Sequence, residues 1–302
     1  MKSTRREFLE TSAAILAATT WRAPTSMSRL PIGFSTLGCP KWEWARILDF
    51  ASAHGYASVE LRGLQDQMDL PRCPEFAADR LAATKAQITQ HELVISDLGS
   101  SANMHEMDAA KRAAQIDEGC RFIDLAQSLG APNVRVFGNQ YVPGVARDEM
   151  LAHIARGLRE LGDYAQGKAV TVLIESHGDF TDSPSLETLL VQADSPNVAL
   201  LWDAHHTFVS GKEEPEETVR RLGKYIRHTH LKDSVPAGND RRYVLTGTGD
   251  VPVRRQVEAL KKIGYRGFYS FEWEKRWHPE IEEPEVAFAQ YATVVSEYLQ
   301  GS

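Results

Sequence analysis

The chain alternates between two kinds of segment. Short, nearly continuous apolar runs that end in polar residues are separated by longer stretches with apolar positions at helical spacing. Eight runs are of the first kind: IGFSTLG from Ile32, SVELRG from Ser58, LVISDLGSS from Leu93, NVRVFG from Asn133, TVLIESHG from Thr171, VALLWDAHH from Val198, IRHTHLKD from Ile226 and GFYSFEWE from Gly267. A strand covered on both faces is apolar throughout, whereas a half-exposed one alternates, so these read as buried parallel strands. Between them, residues 42–54 put Trp44, Ile47, Leu48 and Ala51 on one helical face. Residues 108–129 do the same with Ile116, Phe122, Ile123, Leu125 and Leu129. Further helices are expected over 75–91, 146–166, 184–193, 214–225, 253–263 and 284–299. Gly55, Gly130, Gly167 and Gly264 follow four of the helices, where a left-handed cap suits glycine.

Eight strands alternating with eight helices predict an α/β fold, a single-domain (β/α)8 TIM barrel over residues 30–300. An open doubly wound sheet is the alternative, but no G-x-G-x-x-G follows the first strand, which removes the usual dinucleotide reading. The 302 residues, 42% of them hydrophobic, supply one large core without help from a metal or disulfide. The three cysteines, Cys39, Cys73 and Cys120, have no disulfide-framework or zinc-site spacing and read as small buried or semi-buried thiols. A net charge of -7 weighs against nucleic acid as a partner, since that affinity rests on clustered Lys and Arg.

The N-terminus adds a localisation. Arg5-Arg6 precede Phe8-Leu9 and a short, mildly apolar stretch, TSAAILAATT, which is too short for a membrane span. Residues 1–23 resemble a twin-arginine signal peptide, implying Tat export to a bacterial periplasm, or a cytoplasmic protein if the signal is not functional. Their loss removes Lys2, Arg5, Arg6 and Arg22 against Glu7 and Glu10, leaving -9. That route carries folded proteins, so a metal would be loaded before export, where supply rather than affinity selects it.

In barrels, chemistry gathers at the C-terminal ends of the strands. Strand five ends in Glu175-Ser176-His177 and strand six in Asp203-Ala204-His205-His206. Strand seven offers His228 and His230 before Lys232, and strand eight offers Glu272 and Glu274. Carboxylate, carboxylate, imidazole and carboxylate on four successive strands are costly at one mouth unless a cation compensates them. Such a set suits one divalent metal ion, Mn2+, Mg2+, Co2+ or Zn2+, with positions left for a bidentate substrate. Side-chain alternation gives both members of each pair the same facing, so parity does not choose between them.

These segments carry a resemblance. STLGCPKWEW, YASVELRG, IESHG, WDAHH, HTHLKD, GTGDVPV and GYRGFYSFEWE are similar to motifs of the xylose-isomerase-like sugar phosphate isomerase/epimerase superfamily, over nearly the whole chain after the signal. The resemblance implies metal ligands Glu175, Asp203, His230 and Glu272. It also implies Glu175 and Glu272 as paired bases, one on each face of a sugar or keto-sugar that reacts through an enediolate. His206 matches the D-x-x-H substrate contact of that superfamily. His177, Lys232, Glu60, Arg62 and Arg135 join it as substrate-binding candidates, Arg135 with an ion pair as the alternative. Trp42, Trp44 and Trp273 read as core more than as a sugar platform, and GTGD at 247–250 as turn chemistry more than a phosphate site.

The function expected is therefore a metal-dependent isomerase or epimerase of carbohydrate metabolism. A metal-dependent lyase or dehydratase acting on 3-keto-glycosides or related polyols is the second reading, and an exported metal-containing sugar-binding protein the non-enzymatic one. A DNA-repair endonuclease on the same fold is opposed by the acidic charge. The expected partner is a small-molecule sugar, with no nucleic acid and no stable membrane span. Members of the superfamily often form oligomers, but nothing in the sequence sets an interface.

Overall fold

The computed structural model describes residues 29–301, so the expected signal peptide lies outside the described residues. Seven strands follow one another as β1 (Ile32–Ser35), β2 (Ser58–Leu61), β3 (Val94–Asn103), β4 (Asn133–Phe137), β5 (Thr171–Glu175), β6 (Val198–Asp203) and β7 (Ile226–Leu231). A hairpin, β8 (Asp233–Ala237) and β9 (Asp240–Val244), precedes the eighth barrel strand, β10 (Tyr269–Phe271). The sheet closes in the order β1-β10-β7-β6-β5-β4-β3-β2 with every pairing parallel, which is the TIM barrel expected.

The helices are α1 (Trp44–Ala53), α2 (Leu81–Gln90), α3 (Ala109–Leu129), α4 (Arg147–Tyr164), α5 (Ser183–Ala193), α6 (Ala204–Val209), α7 (Pro215–Leu222), α8 (Val253–Lys262) and α9 (Pro284–Gln300). Asp108 caps α3 by accepting from Ala110 N and Lys111 N, and Gly130 ends it at φ 79°. Gly55, Gly167 and Gly264 also take positive φ, as their places after helices suggest.

Three local differences have clear causes. The helix expected from residue 75 begins at Leu81, because Pro74 opens a separate 3-10 turn over Pro74–Phe76. The sixth strand ends at Asp203 and does not run on through His206: α6 starts at Ala204 because the Asp203 carboxylate accepts the His206 N–H at 2.9 Å. The β8–β9 hairpin has no counterpart in the hydrophobic pattern, since its outer half is polar and exposed.

Alternation along the strands separates two interiors. Val172, Ile174, Leu200 and Trp202 face outward into the main core beneath the helices. Leu173, Ala199 and Leu201 form a small apolar group of their own inside the barrel. Most other inward positions are polar, including Glu60, Asp97, Arg135, Glu175, His228 and His230, all buried. Burying that much charge demands compensation, which is where the chemistry lies. The cysteines are free, with Cys39 and Cys73 buried. No helix among the described residues is long and apolar enough to cross a membrane.

Candidate functional site

Four ends of neighbouring strands converge. Glu175 closes β5, Asp203 closes β6, His230 lies in β7 and Glu272 follows β10, and one ligand atom from each lies within 4.8 Å of the others. His230 Nδ1 is 3.2 Å from Glu272 Oε1, 3.5 Å from Glu175 Oε1 and 3.8 Å from Asp203 Oδ2. It makes no aligned hydrogen bond to any of them. Three carboxylates and an imidazole turned towards one point without an aligned hydrogen bond at His230 Nδ1 form the donor set of a cation site. Trp273 is wholly buried, as are Trp42 and Trp44 nearly so, and all three pack as core.

The same-parity pairs resolve by depth. His228 Nε2 lies 2.8 Å from Glu60 Oε2, one layer below the quartet. Glu274 Oε1 is 2.9 Å from Lys232 Nζ, outside it. Lys232 is fully buried and also reaches Asp203 Oδ2 at 2.7 Å and Glu272 Oε2 in close contact. Lys232 is thus a structural counter-ion of the carboxylates as well as a group at the mouth.

The other expected substrate contacts divide. His177 and His206 meet edge to face at 5.1 Å beside the quartet, with His206 Nε2 3.5 Å from Asp203 Oδ2. Burial keeps both rings neutral, aided at His206 by Lys232, and leaves His177 Nδ1 without a partner. Arg135 Nε is 3.0 Å from Glu175 Oε2, its guanidinium lies over the Phe137 ring and Nη1 donates to Ser100 O at 2.8 Å. That is the ion-pair arrangement the sequence allowed for. Arg62 donates to Ser101 Oγ at 3.0 Å near the mouth, and burial lowers it to about 9. Glu60, expected at the substrate, is instead fully buried beneath the quartet, between His228 and His230.

Electrostatics favour a resident cation. Six buried carboxylates (Glu60, Asp97, Glu175, Asp203, Glu272, Glu274) face three buried cations (Arg62, Arg135, Lys232). Burial pushes Asp97 well up, helped by Glu60, and the buried carboxylates still outnumber the buried cations. In the metal-free protein, protons fill that gap. Burial opposes charge on His230, but Glu272 and Glu60 overcome it and raise the ring well above the ordinary imidazole range. Burial also raises Asp203 to about 6 and Glu274 to about 7, against the pull of Lys232. Burial would raise Glu175 too, but Arg135 and His230 outweigh it, and His230 with Lys232 does the same for Glu272. The donors and the charge deficit both fit a divalent ion.

Three participants were not singled out from sequence. Asp97 pairs in register with Glu60, and an acid inside an apolar run was its one signal. Asp233 accepts from the backbone N–H of Ser234, Gly247, Gly249 and Val251, so the GTGD segment wraps an internal carboxylate and offers no nest to a phosphate. Tyr243 of β9 packs on His205 with ring centres 5.5 Å apart, while His205 Nε2 meets Ser234 Oγ at 2.7 Å. The hairpin thereby walls one side of the mouth.

A family profile for xylose isomerase-like TIM barrels matches residues 48–291. L-ribulose-5-phosphate 3-epimerase of Salmonella typhi is 26% identical over 270 residues, 87% of this chain and 92% of that protein. Inosose dehydratase of Geobacillus thermodenitrificans is 26% identical over 161 residues, 48% of this chain and 52% of that protein, so the match spans about half of it. The crystal structure of the IolI protein with a bound zinc atom superposes with a TM-score of 0.74 at 20% identity, over 90% of this chain and all of that one.

Proposed function

The chain belongs to the xylose isomerase-like TIM barrel family, and from that premise we propose that it is a metal-dependent sugar or keto-sugar isomerase or epimerase. The observation that carries this is the convergence of Glu175, Asp203, His230 and Glu272 at the C-terminal mouth, within 4.8 Å of one another. These four would hold one divalent ion. Bound there, it would act as a Lewis acid, polarising a sugar carbonyl and acidifying the neighbouring C–H.

The chain's own groups would do the rest. Arg135 favours the ionised form of Glu175 and Lys232 that of Glu272, so both are bases at neutral pH. They approach His230 from opposite flanks of β7: Glu272 follows the adjacent β10, and Glu175 lies beyond β6. One takes the proton and the other returns it, to the opposite face for epimerisation or to the adjacent carbon for isomerisation. Neutral His177 and His206 can donate to or accept from hydroxyls at the rim.

A dehydratase is the second reading, supported by the inosose dehydratase match and by Glu274. Elimination needs a donor for the departing hydroxyl as well as a base. Glu274, raised to about 7 beside Lys232, is such a donor. Export through the Arg5-Arg6 signal is part of the proposal. Cell fractionation of a variant with both replaced by Lys tests it: unchanged export would sink it.

Metal analysis of the purified protein, with an NMR screen for deuterium wash-in across keto-sugars and 3-keto-glycosides, tests the reaction. An exchanged, stereochemically altered sugar supports the epimerase, and an unsaturated product the dehydratase. E175Q and E272Q should each abolish exchange. Exchange at wild-type rates in both variants removes them as bases, and absence of exchange across the panel with metal bound leaves a sugar-binding protein.

A further inference from the structure

We infer that Glu60 is a positioning residue that fixes the tautomer of His230, and so decides which ring nitrogen faces the cation. The inference rests on the metal site proposed above. Glu60 Oε2 lies 2.7 Å from His230 Nε2 and 2.8 Å from His228 Nε2. All three side chains are at most 1% exposed, so water does not compete for these bonds. Among the described residues no other donor reaches that oxygen, and a carboxylate oxygen with two imidazoles at this distance accepts from both. His230 therefore carries its proton on Nε2. Nδ1 is the nitrogen left for the quartet, where it faces Glu272, Glu175 and Asp203 at 3.2–3.8 Å without an aligned hydrogen bond.

The contact crosses the barrel. Glu60 lies in a short strand, β2, three places from β7 in the closed sheet and 170 residues from His230 in sequence. The ring is thus gripped from below by an element that supplies none of the four ligands. Ring orientation and the Nε2 proton are both set before a cation arrives, so a cation displaces only what Nδ1 carries; the Glu60 contact raises the ligand's basicity and lowers the cost of ordering it. His228 serves the same oxygen and holds Glu60 in place from one side. The other Glu60 oxygen has no partner, so the two imidazoles are the only side-chain groups that orient this carboxylate among the described residues.

The test uses the full chain, with Co2+ titrated by visible absorption and calorimetry into wild type, E60Q and E60L. Gln keeps a carbonyl oxygen that can accept from both rings but loses the charge, whereas Leu removes the acceptor. Expected is a graded loss of Co2+ affinity within about 10–100-fold, smaller for Gln than for Leu. In the zinc-loaded wild type, nitrogen-15 spectra of the histidines should show His230 protonated at Nε2 and metal-bound at Nδ1. Melting of the metal-free proteins shows which variants fold. If E60L does not, E60Q and the wild-type spectra decide. Affinity within twofold of wild type in the folded variants, or a zinc-loaded His230 bound through Nε2, overturns the inference alone. A wild type that takes up no Co2+ overturns the metal site itself.

Discussion

Replacing Lys232 by Met tests the charge balance directly. The ammonium is fully buried, 2.7 Å from Asp203 Oδ2, 2.9 Å from Glu274 Oε1 and in closer contact still with Glu272. Met keeps most of the stem and its packing but removes the charge, so the loss is electrostatic. Removing one partner of a buried ion pair costs about 3–5 kcal/mol. The carboxylates left behind can escape part of that by protonation. Burial already raises Asp203 to about 6 and Glu274 to about 7, and Lys232 is the main group opposing it. Without Lys232 both rise further. An acid whose folded pKa exceeds its unfolded value costs nothing below the unfolded value, and its cost grows as pH climbs towards the folded one. The stability gap between variant and wild type should therefore be small near pH ~4 and widen towards about pH 8. At the upper end the full 3–5 kcal/mol is expected, a fall in Tm of roughly 6–20 °C at about 2–4 °C per kcal/mol for a chain of this size. Urea and thermal unfolding of chelator-treated protein across that range measures it. A divalent cation should narrow the gap by supplying the missing charge. A metal-free variant as stable as wild type at about pH 8, or a gap that closes as pH rises, would refute the reasoning.

Arg135→Met leaves burial of Glu175 unopposed by its nearest cation, so the carboxyl rises; the acid limb of the deuterium-exchange profile should move up by about 1–3 pH units, and an unmoved limb contradicts the assigned pair. Asp233→Ala strips the acceptor from four backbone N–H groups and should cost about 1–3 kcal/mol, with faster proteolytic nicking of the 245–251 loop; unchanged cleavage would show that the loop holds itself. Phe288→Ala opens the aromatic cluster in which that ring stacks on Phe34 at 4.2 Å and meets Trp42 and Phe271 edge-on; a loss of about 3–5 kcal/mol in urea unfolding is expected with Co2+ affinity unchanged, and a parallel fall in affinity would show the core and the site to be coupled.

The barrel was legible in the sequence because its signal is local. A strand buried on both faces is apolar throughout, a helix repeats near 3.6, and both patterns survive without knowing the partner. Glu175 and Asp203 were legible for the same reason, each ending an apolar run on its own. What local pattern does not contain is depth. His228 and His230 share a facing, as do Glu272 and Glu274, and only the stagger of the closed strands puts one of each pair in the quartet and the other below or beside it. Stagger likewise takes Glu60 and Arg135, which look like mouth residues, and sets them against His230 and Glu175. The hairpin wall and the Asp233 anchor depend on backbone groups meeting a side chain many residues away, and no hydrophobic period records such a meeting. By itself, then, the sequence determined the eight strands, their apolar backs and the polar residues at their ends. Closure of the barrel decided which of those residues share a layer, because that depends on the register of non-neighbouring strands and on where buried charge finds its counter-charge.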